Sequence, residues 1–444
     1  MRLHGTQTFN QQGHLEIGGC DTVELASQFG TPLYIMDEAH IRDICRQYHS
    51  SFVKGMENTE VIYASKAFLT LAMCRIIEEE SLGLDVVSGG ELYTALQANF
   101  SPEHIYFHGN NKSSEELLMA INAGVGRIVI DNFYEMSVLN DLAKELNQQV
   151  NVLLRITPGI EAHTHEYIQT GQIDSKFGFT LSNGTADQAL DLAFCYSNLE
   201  VTGLHAHIGS QIFELDSFRH EVQIMIKYMA DTHVRTSCLL KELNLGGGFG
   251  IYYASGDEPA KISDYAKAIK DALDEACQCQ NFPRPKIVIE PGRSIVGTAG
   301  TTLYTIGSIK EIPGIRKYVA VDGGMADNPR PSLYQARYES ILANRSNEEA
   351  TESVSITGKC CESGDMLIWD IDLPKVNSGD LLAVTSTGAY NYSMSSNYNR
   401  LTRPGVVLVK DGQADVIVKR ETHSDLLRND VLPERLKHVK MACR

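Results

Sequence analysis

Positive charge is scarce in this chain. Lys and Arg together number 39 against 56 Asp and Glu, a formal net charge of -17. A surface so acidic argues against nucleic acid and anionic membranes as partners, because both repel it. A local basic pocket for a small anion remains compatible with it. Long apolar runs are missing too, and none approaches the roughly 20 residues that a membrane-spanning helix needs. The first residues, Met1 to Gly19, have neither the basic start nor the apolar core of a secretory signal. The ten cysteines lack the grouping of a zinc site. Only Cys277 with Cys279 and Cys360 with Cys361 are close, and no second cluster completes either pair. These absences lead us to expect no metal, reduced thiols and a cytoplasmic location. No internal repeat and no low-complexity segment is visible.

What is present is an ordinary globular composition, 43% hydrophobic and 21% charged over 444 residues, enough for two or three domains. Strand-like runs at 60–65, 83–87, 104–107, 126–130, 149–156, 201–207, 241–247 and 286–290 alternate with helical patterns at 69–80, 89–99, 113–123, 133–147, 186–197, 216–236 and 262–278. Asp37 can cap a further helix running to about Phe52, and Ser113 with Glu116 spells a capping box. Eight strands in alternation predict an α/β fold, a (β/α)8 TIM-like barrel. A doubly wound open sheet is the rival, but no GxGxxG follows its first strand. After Pro291 the texture becomes mainly β, with runs at 301–311, 317–322, 353–358, 381–385 and 404–419 and a polar loop at 344–351. The expected division is a barrel over 37–293, with 1–36 and 294–444 forming a mainly β domain.

Active residues of such barrels gather where the strands end. The first strand ends at Lys66, between apolar neighbours where a partly buried amine is expected. The second ends in Asp85-Val-Val-Ser-Gly-Gly-Glu91, the fourth at Asp131, the fifth at Arg155. The sixth ends in His205-Ala-His-Ile-Gly-Ser-Gln211, the seventh in Gly246-Gly-Gly-Phe-Gly250, the eighth in Glu290-Pro-Gly-Arg293. Each has a plain structural reading. Lys66 suits a surface turn, and the glycines suit a tight turn as well as an anion cradle. His207 suits a hydrogen-bonded strand end, and Glu290 could pair with Arg293 at the surface. Together, a lysine amine, a glycine cradle and a carboxylate match the demands of pyridoxal phosphate.

The ordered motifs Tyr63-Ala-Ser-Lys-Ala67, Asp85–Glu91, Ser175-Lys-Phe-Gly178, His207-Ile-Gly-Ser-Gln211, Gly246–Gly248, Glu290–Arg293, Arg330-Pro-Ser-Leu-Tyr334, Cys361-Glu-Ser363 with Asp365, and Gly388-Ala-Tyr390 extend the match. On them the chain resembles the fold-type III pyridoxal phosphate decarboxylases, and among these the diaminopimelate branch, from about Pro32 to about Thr402. The resemblance implies that Lys66 forms the Schiff base and that His207 stacks on the cofactor ring. It implies that Asp85 and Gly247 lie at the cofactor, that Ser210, Gly248, Gly292 and Arg293 surround the phosphate, and that Glu290 faces the ring nitrogen. Arg330, Tyr334 and Glu362 would hold the far end of a diamino-acid substrate, which Arg293 also reaches. Tyr390 would contact cofactor and substrate. Cys361 would donate a proton from a partner subunit, so the resemblance implies a homodimer with shared sites.

The reaction implied is decarboxylation of meso-2,6-diaminopimelate to L-lysine. Arg330 suits a distal carboxylate by bidentate pairing, and Glu362 a distal ammonium. Decarboxylases of carboxynorspermidine, ornithine or arginine are the near alternatives. An ornithine or arginine enzyme has no distal carboxylate for Arg330 to meet. A racemase is disfavoured by Glu290, a strong aid to an electron sink. A cofactor-binding regulator without activity is disfavoured by the retention of Lys66, Cys361 and Tyr390. Ser65, Phe68 and the second thiol, Cys360, depart from the family's usual wording.

Overall fold

The computed structural model describes residues 2–159 and 175–437. The chain enters through a three-stranded antiparallel sheet, β1 (Thr8–Phe9), β2 (Leu15–Ile17) and β3 (Cys20–Asp21), and a helix α1 (Thr22–Phe29). Strand β4 (Leu33–Asp37) follows, and Asp37 then caps α2 (Glu38–Tyr48) by accepting from the His40 N–H at 3.1 Å. The α-helix is shorter than the expected run to Phe52. It widens into a π-helical turn over His49–Val53, which still buries Phe52.

The alternation expected from the sequence then forms in full. It runs β5 (Thr59–Ala64), α3 (Leu71–Glu79), β6 (Gly83–Val86), α4 (Gly89–Gln97), β7 (Ile105–Phe107), α5 (Ser114–Ala123), β8 (Arg127–Ile130), α6 (Phe133–Glu145) and β9 (Val150–Thr157). After a two-residue strand β10 (Phe179–Thr180) it continues with α7 (Thr185–Cys195), β11 (Leu199–His205), α8 (Leu215–Thr236), β12 (Glu242–Asn244), α9 (Ile262–Gln280) and β13 (Lys286–Ile289). All neighbours pair in parallel, β13 pairs with β5, and β8 pairs with β9, so the eight strands close into a barrel.

Closure explains why these strands are apolar on both faces. Ile62, Tyr106, Val129, Leu153 and Val288 fill the barrel interior as one cluster. The alternate residues, such as Val61 and Tyr63, pack outward in the larger core shared with the helices. At the N-terminal strand ends the interior is sealed by polar groups. The Tyr106 hydroxyl donates to Glu242 at 2.8 Å, while Lys286 pairs with Glu60 at 2.5 Å and Arg127 with Glu242 at 3.0 Å. The cavity opens at the C-terminal ends.

The chain leaves the barrel through a short helix α10 (Arg293–Val296) and enters the second sheet. Its elements are β14 (Gly300–Ile312), β15 (Arg316–Val321), α11 (Arg330–Tyr334), β16 (Ser340–Leu342), β17 (Glu352–Thr357), β18 (Met366–Leu373), β19 (Leu381–Val384), α12 (Asn391–Met394), β20 (Gly405–Lys410) and β21 (Gln413–Val418). Strand β4 from the beginning of the chain lies between β14 and β20. The run 404–419 is a hairpin rather than one strand, since Asp411 and Gly412 both take positive φ and turn it. Strand β18 was not foreseen. Its pattern mixes buried Leu367 with exposed Trp369, and it is its pairing with β17 that makes it a strand.

The capping box at Ser113 and Glu116 is present in both directions. Ser113→Ala is expected to cost about 1 kcal/mol, read as a fall in Tm of roughly 1–2 °C. Ser113→Thr should stay near the wild type in the same melting experiment. An alanine variant with unchanged Tm would mean that the cap contributes nothing.

Candidate active site

The polar strand ends meet around a cavity of about 460 Å³ at the C-terminal mouth of the barrel. Lys66 sits on the single 3-10 turn after β5, Asp85 on β6, and His207 just past β11. Ser210, Gly247, Gly248, Glu290, Gly292 and Arg293 complete the barrel's contribution, and all line the cavity. Arg330 and Tyr334 reach it from α11 and Tyr390 from the start of α12, both outside the barrel. Lys66 was expected to be partly buried; its side chain is exposed in the cavity while Ser65 and Ala67 beside it are buried. Cys361 and Glu362 are exposed and do not line this cavity.

The turn bearing Lys66 is pinned from the second domain. The Tyr390 N–H donates to the Ala67 carbonyl at 2.8 Å, and the Ser393 hydroxyl donates to the same oxygen at 3.1 Å. Gly388 makes this approach possible, because a Cβ there would stand 1.8 Å from the Val296 carbonyl. On the barrel side Gly248 has φ +105, and its Cβ would come within 2.5 Å of the Gly209 carbonyl. The backbone around Ser210 and Gly248 is thereby brought close to the cavity, as an anion cradle requires.

Two buried guanidinium groups face this space. Arg293 donates to the Tyr253 hydroxyl at 2.6 Å and to Ser210 Oγ at 2.9 Å, and its Nε has no partner. Arg330 donates from Nε to the Tyr338 hydroxyl at 2.9 Å and lies over the rings of Tyr253, Tyr334 and Tyr390. Burial would raise the Tyr253 phenol, but Arg293 and Arg330 outweigh it and lower it. Buried cations need anions, and the groups around these two are hydroxyls and rings.

Opposite the cradle lies a buried acid–histidine cluster. Glu290 is not a surface partner of Arg293. Its Oε1 is 2.7 Å from His108 Nε2, an ion pair off hydrogen-bond alignment, and accepts a hydrogen bond from Asn244 Nδ2 at 2.7 Å. Its Oε2 is 3.4 Å from His205 Nε2. Burial opposes its charge, but His108 and His205 hold the carboxyl well below its usual range. Burial pushes His205 down to about 3 and, with Lys66 and Arg155, holds His207 well below its ordinary value, so both rings are neutral. Burial lifts the Asp85 carboxyl to about 6, with His108 opposing the rise. His108, His205 and Glu290 offer ligand atoms within 4.8 Å of one another. Two ligands on a tetrahedral zinc stand about 3.3 Å apart, given bonds of about 2.0–2.1 Å, so a contact of 2.7 Å is an ion pair and not a preformed metal centre.

His108 and Asn244 were missed from the sequence, and Arg155 and His205 were noted as strand ends without a role. His108 directly follows the third barrel strand, Ile105–Phe107, and the strand-end rule applied there would have found it. Tyr253 lies in a loop with no signal of its own. The Ser175–Gly178 motif places Phe177 under the Arg155 guanidinium at 4.3 Å, which keeps that charge at the cavity wall.

Residues 38–297 match the family model described as the pyridoxal binding domain of pyridoxal-dependent decarboxylases. The chain is 55% identical to a diaminopimelate decarboxylase of Bacillus subtilis over 97% of its own length and 98% of the relative's. It is 42% identical to that of Mycobacterium tuberculosis, with 96% of each chain covered. Among solved structures, a diaminopimelate decarboxylase from M. jannaschii in complex with L-lysine superposes with a TM-score of 0.91 at 36% identity, covering 98% of this chain and 100% of that one.

The residues fit pyridoxal phosphate. Lys66 offers an amine, the Ser210–Gly248 cradle with the unpartnered Arg293 Nε offers a phosphate site, and Glu290 offers a carboxylate held in its charged form. Protein loaded with pyridoxal phosphate is expected to be yellow and to keep the group covalently after borohydride treatment, whereas Lys66→Ala should keep none. A mass shift that survives in the alanine variant would assign the link to another lysine. Gly248→Ala should weaken cofactor binding through backbone strain of about 1–3 kcal/mol, measured by fluorescence titration.

Proposed function

The chain belongs to the pyridoxal-dependent decarboxylase family, and from that premise we propose that it removes one carboxylate of meso-2,6-diaminopimelate to give L-lysine. The observation that carries this reading is the second buried guanidinium. A cofactor phosphate matches Arg293. Arg330 lies beyond it, buried among tyrosines, and a substrate with a distal carboxylate would match it. Ornithine and arginine have no such group. The solved relative that carries L-lysine, the product of this reaction, supports the same choice.

Bound pyridoxal phosphate would supply a carbonyl carbon that captures the substrate amine and a protonated ring that accepts the electron pair left when carbon dioxide departs. The chain supplies the rest. Lys66 would hold the group through its amine. Glu290, charged although buried, keeps a proton on the ring nitrogen, which a neutral acid could not do as well. The uncharged His207 ring suits a stacking role over the cofactor face, with Asp85 and Gly247 beside it. Gly292 and Arg293 would close the phosphate side, Tyr390 would contact cofactor and substrate, and Tyr334, under the Arg330 guanidinium, would help hold the far end of the substrate.

Cys361 and Glu362 lie on an exposed turn whose Cys361 N–H donates to Asn399 Oδ1 at 2.7 Å. Their exposure outside the cavity supports a homodimer in which each copy lends them to the other's site. Cys361 would then supply a proton to the substrate's alpha carbon, and Glu362 would receive its distal ammonium. General acid catalysis of this kind contributes about 10²–10⁴-fold. No helix among the described residues is long and apolar enough to cross a membrane. The proposed reaction would place the protein among the cytoplasmic enzymes of lysine biosynthesis.

Carbon dioxide release from purified protein with diaminopimelate, ornithine and arginine tests the substrate directly. Arg330→Ala is expected to lose about 1.5–3 kcal/mol in kcat/KM for diaminopimelate, roughly 10- to 150-fold. An equal loss with a substrate lacking the second carboxylate would remove this assignment. Lys66→Ala and Cys361→Ala subunits, each inactive alone, should regain one working site of two in a mixed dimer. Mixed dimers that form but stay inactive would take Cys361 out of the partner's site.

A further inference from the structure

We propose that His108 is a positioning residue for the decarboxylation, holding Glu290 by Oε1 so that Oε2 is left to face the ring nitrogen of the cofactor. This rests on the reading of Glu290 given above. The two oxygens of Glu290 are unequally engaged. Oε1 has His108 Nε2 at 2.7 Å and the Asn244 amide at 2.7 Å. Among the described residues Oε2 has His205 Nε2 alone, at 3.4 Å, beyond the usual length of a strong bond. His108 and His205 pack edge to face at 4.7 Å, and both are almost fully buried. The carboxylate is therefore anchored at one oxygen and only loosely held at the other.

His108 also stands between two acids. Its Nε2 is 3.8 Å from Asp85 Oδ1, which has no hydrogen-bond partner. The charged and titratable groups facing it are Asp85 from β6, Asp131 just after β8, Arg155 from β9, His205 from β11 and Glu290 after β13. Burial alone would strip His108 of its proton, but Glu290 and Asp85 outweigh it and raise it above its ordinary value. An imidazolium there balances the two carboxylates. Without it, Glu290 loses the positive partner 2.7 Å from Oε1 in a pocket that Asp85 shares, so its charge is harder to keep and Oε2 is no longer held toward the ring nitrogen.

The test uses holoenzyme carrying His108→Phe, His108→Gln or Glu290→Gln, and the double variant that joins His108→Phe to Glu290→Gln. Each is loaded with pyridoxal phosphate, or with its 1-deaza analogue, in which CH replaces the ring nitrogen. His108→Phe is expected to lower kcat by roughly 10- to 100-fold, the usual cost of removing a group that orients a reacting ligand, with KM little changed. His108→Gln, which keeps a donor, should recover part of the loss. The loss should vanish with the deaza analogue and should not add to that of Glu290→Gln. In wild type, the ¹⁵N resonance of ring-labelled cofactor should be that of a protonated nitrogen, and in His108→Phe it should move toward the unprotonated position. An unmoved resonance, or an equal loss with the deaza analogue, would overturn the proposal. If Glu290→Gln alone leaves activity and resonance intact, the role of Glu290 fails instead. Should the variants not fold, ¹⁵N-histidine spectra of wild-type holoenzyme decide. A doubly protonated His108 at neutral pH supports the proposal, and a neutral one overturns it.

Discussion

The site depends on keeping one carboxylate charged where water is almost absent. Glu290 is only 7% exposed, and burial of that degree normally drives a carboxyl to its neutral form. Three partners prevent this: the His108 imidazole, the Asn244 amide and, at longer range, the His205 ring. They come from the ends of β7, β12 and β11, so no local segment could assemble them. Only a closed barrel brings those ends to one point.

The same closure explains the division of the barrel into a sealed end and a reactive end. Opposite charges at the N-terminal strand ends, Glu60, Arg127, Glu242 and Lys286, satisfy one another around Tyr106. At the C-terminal ends the charges are left less evenly matched. Arg293 and Arg330 lean on tyrosine hydroxyls and rings, which soften a cation but do not neutralise it. An unmatched buried charge is costly to the fold and valuable to a binding site.

The second domain completes the site by backbone contact as much as by side chains. Tyr390 and Ser393 hold the Lys66 turn through the Ala67 carbonyl. On the far side, the Asp365 carboxylate accepts from the Met325 and Cys360 N–H groups at 2.6 and 2.7 Å. It thereby ties the turn before Cys361 to the segment that leads into Arg330. The arginine facing this chain's cavity and the thiol on its outer surface share one rigid support.

The alternation of apolar strands and amphipathic helices was legible in the sequence, because a parallel strand covered on both faces must be apolar throughout. So was the set Lys66, His207, Glu290 and Arg293, since strand ends are where a barrel exposes chemistry. The resemblance added Arg330, Tyr334 and Tyr390, which no periodicity marks. The positive-φ turn at Asp411-Gly412 that splits 404–419 into a hairpin, and the pairing that makes β18 a strand, were not legible. Nor were the partners of Glu290. A surface pair with Arg293 was the plain alternative reading of Glu290, whereas the fold turns it inward to His108, which lies 182 positions earlier in the chain. Sequence pattern determined which residues could be buried, because hydrophobic periodicity is local. Which charges meet was decided only by the tertiary structure, because an electrostatic pair is set by distance in space and not by separation along the chain.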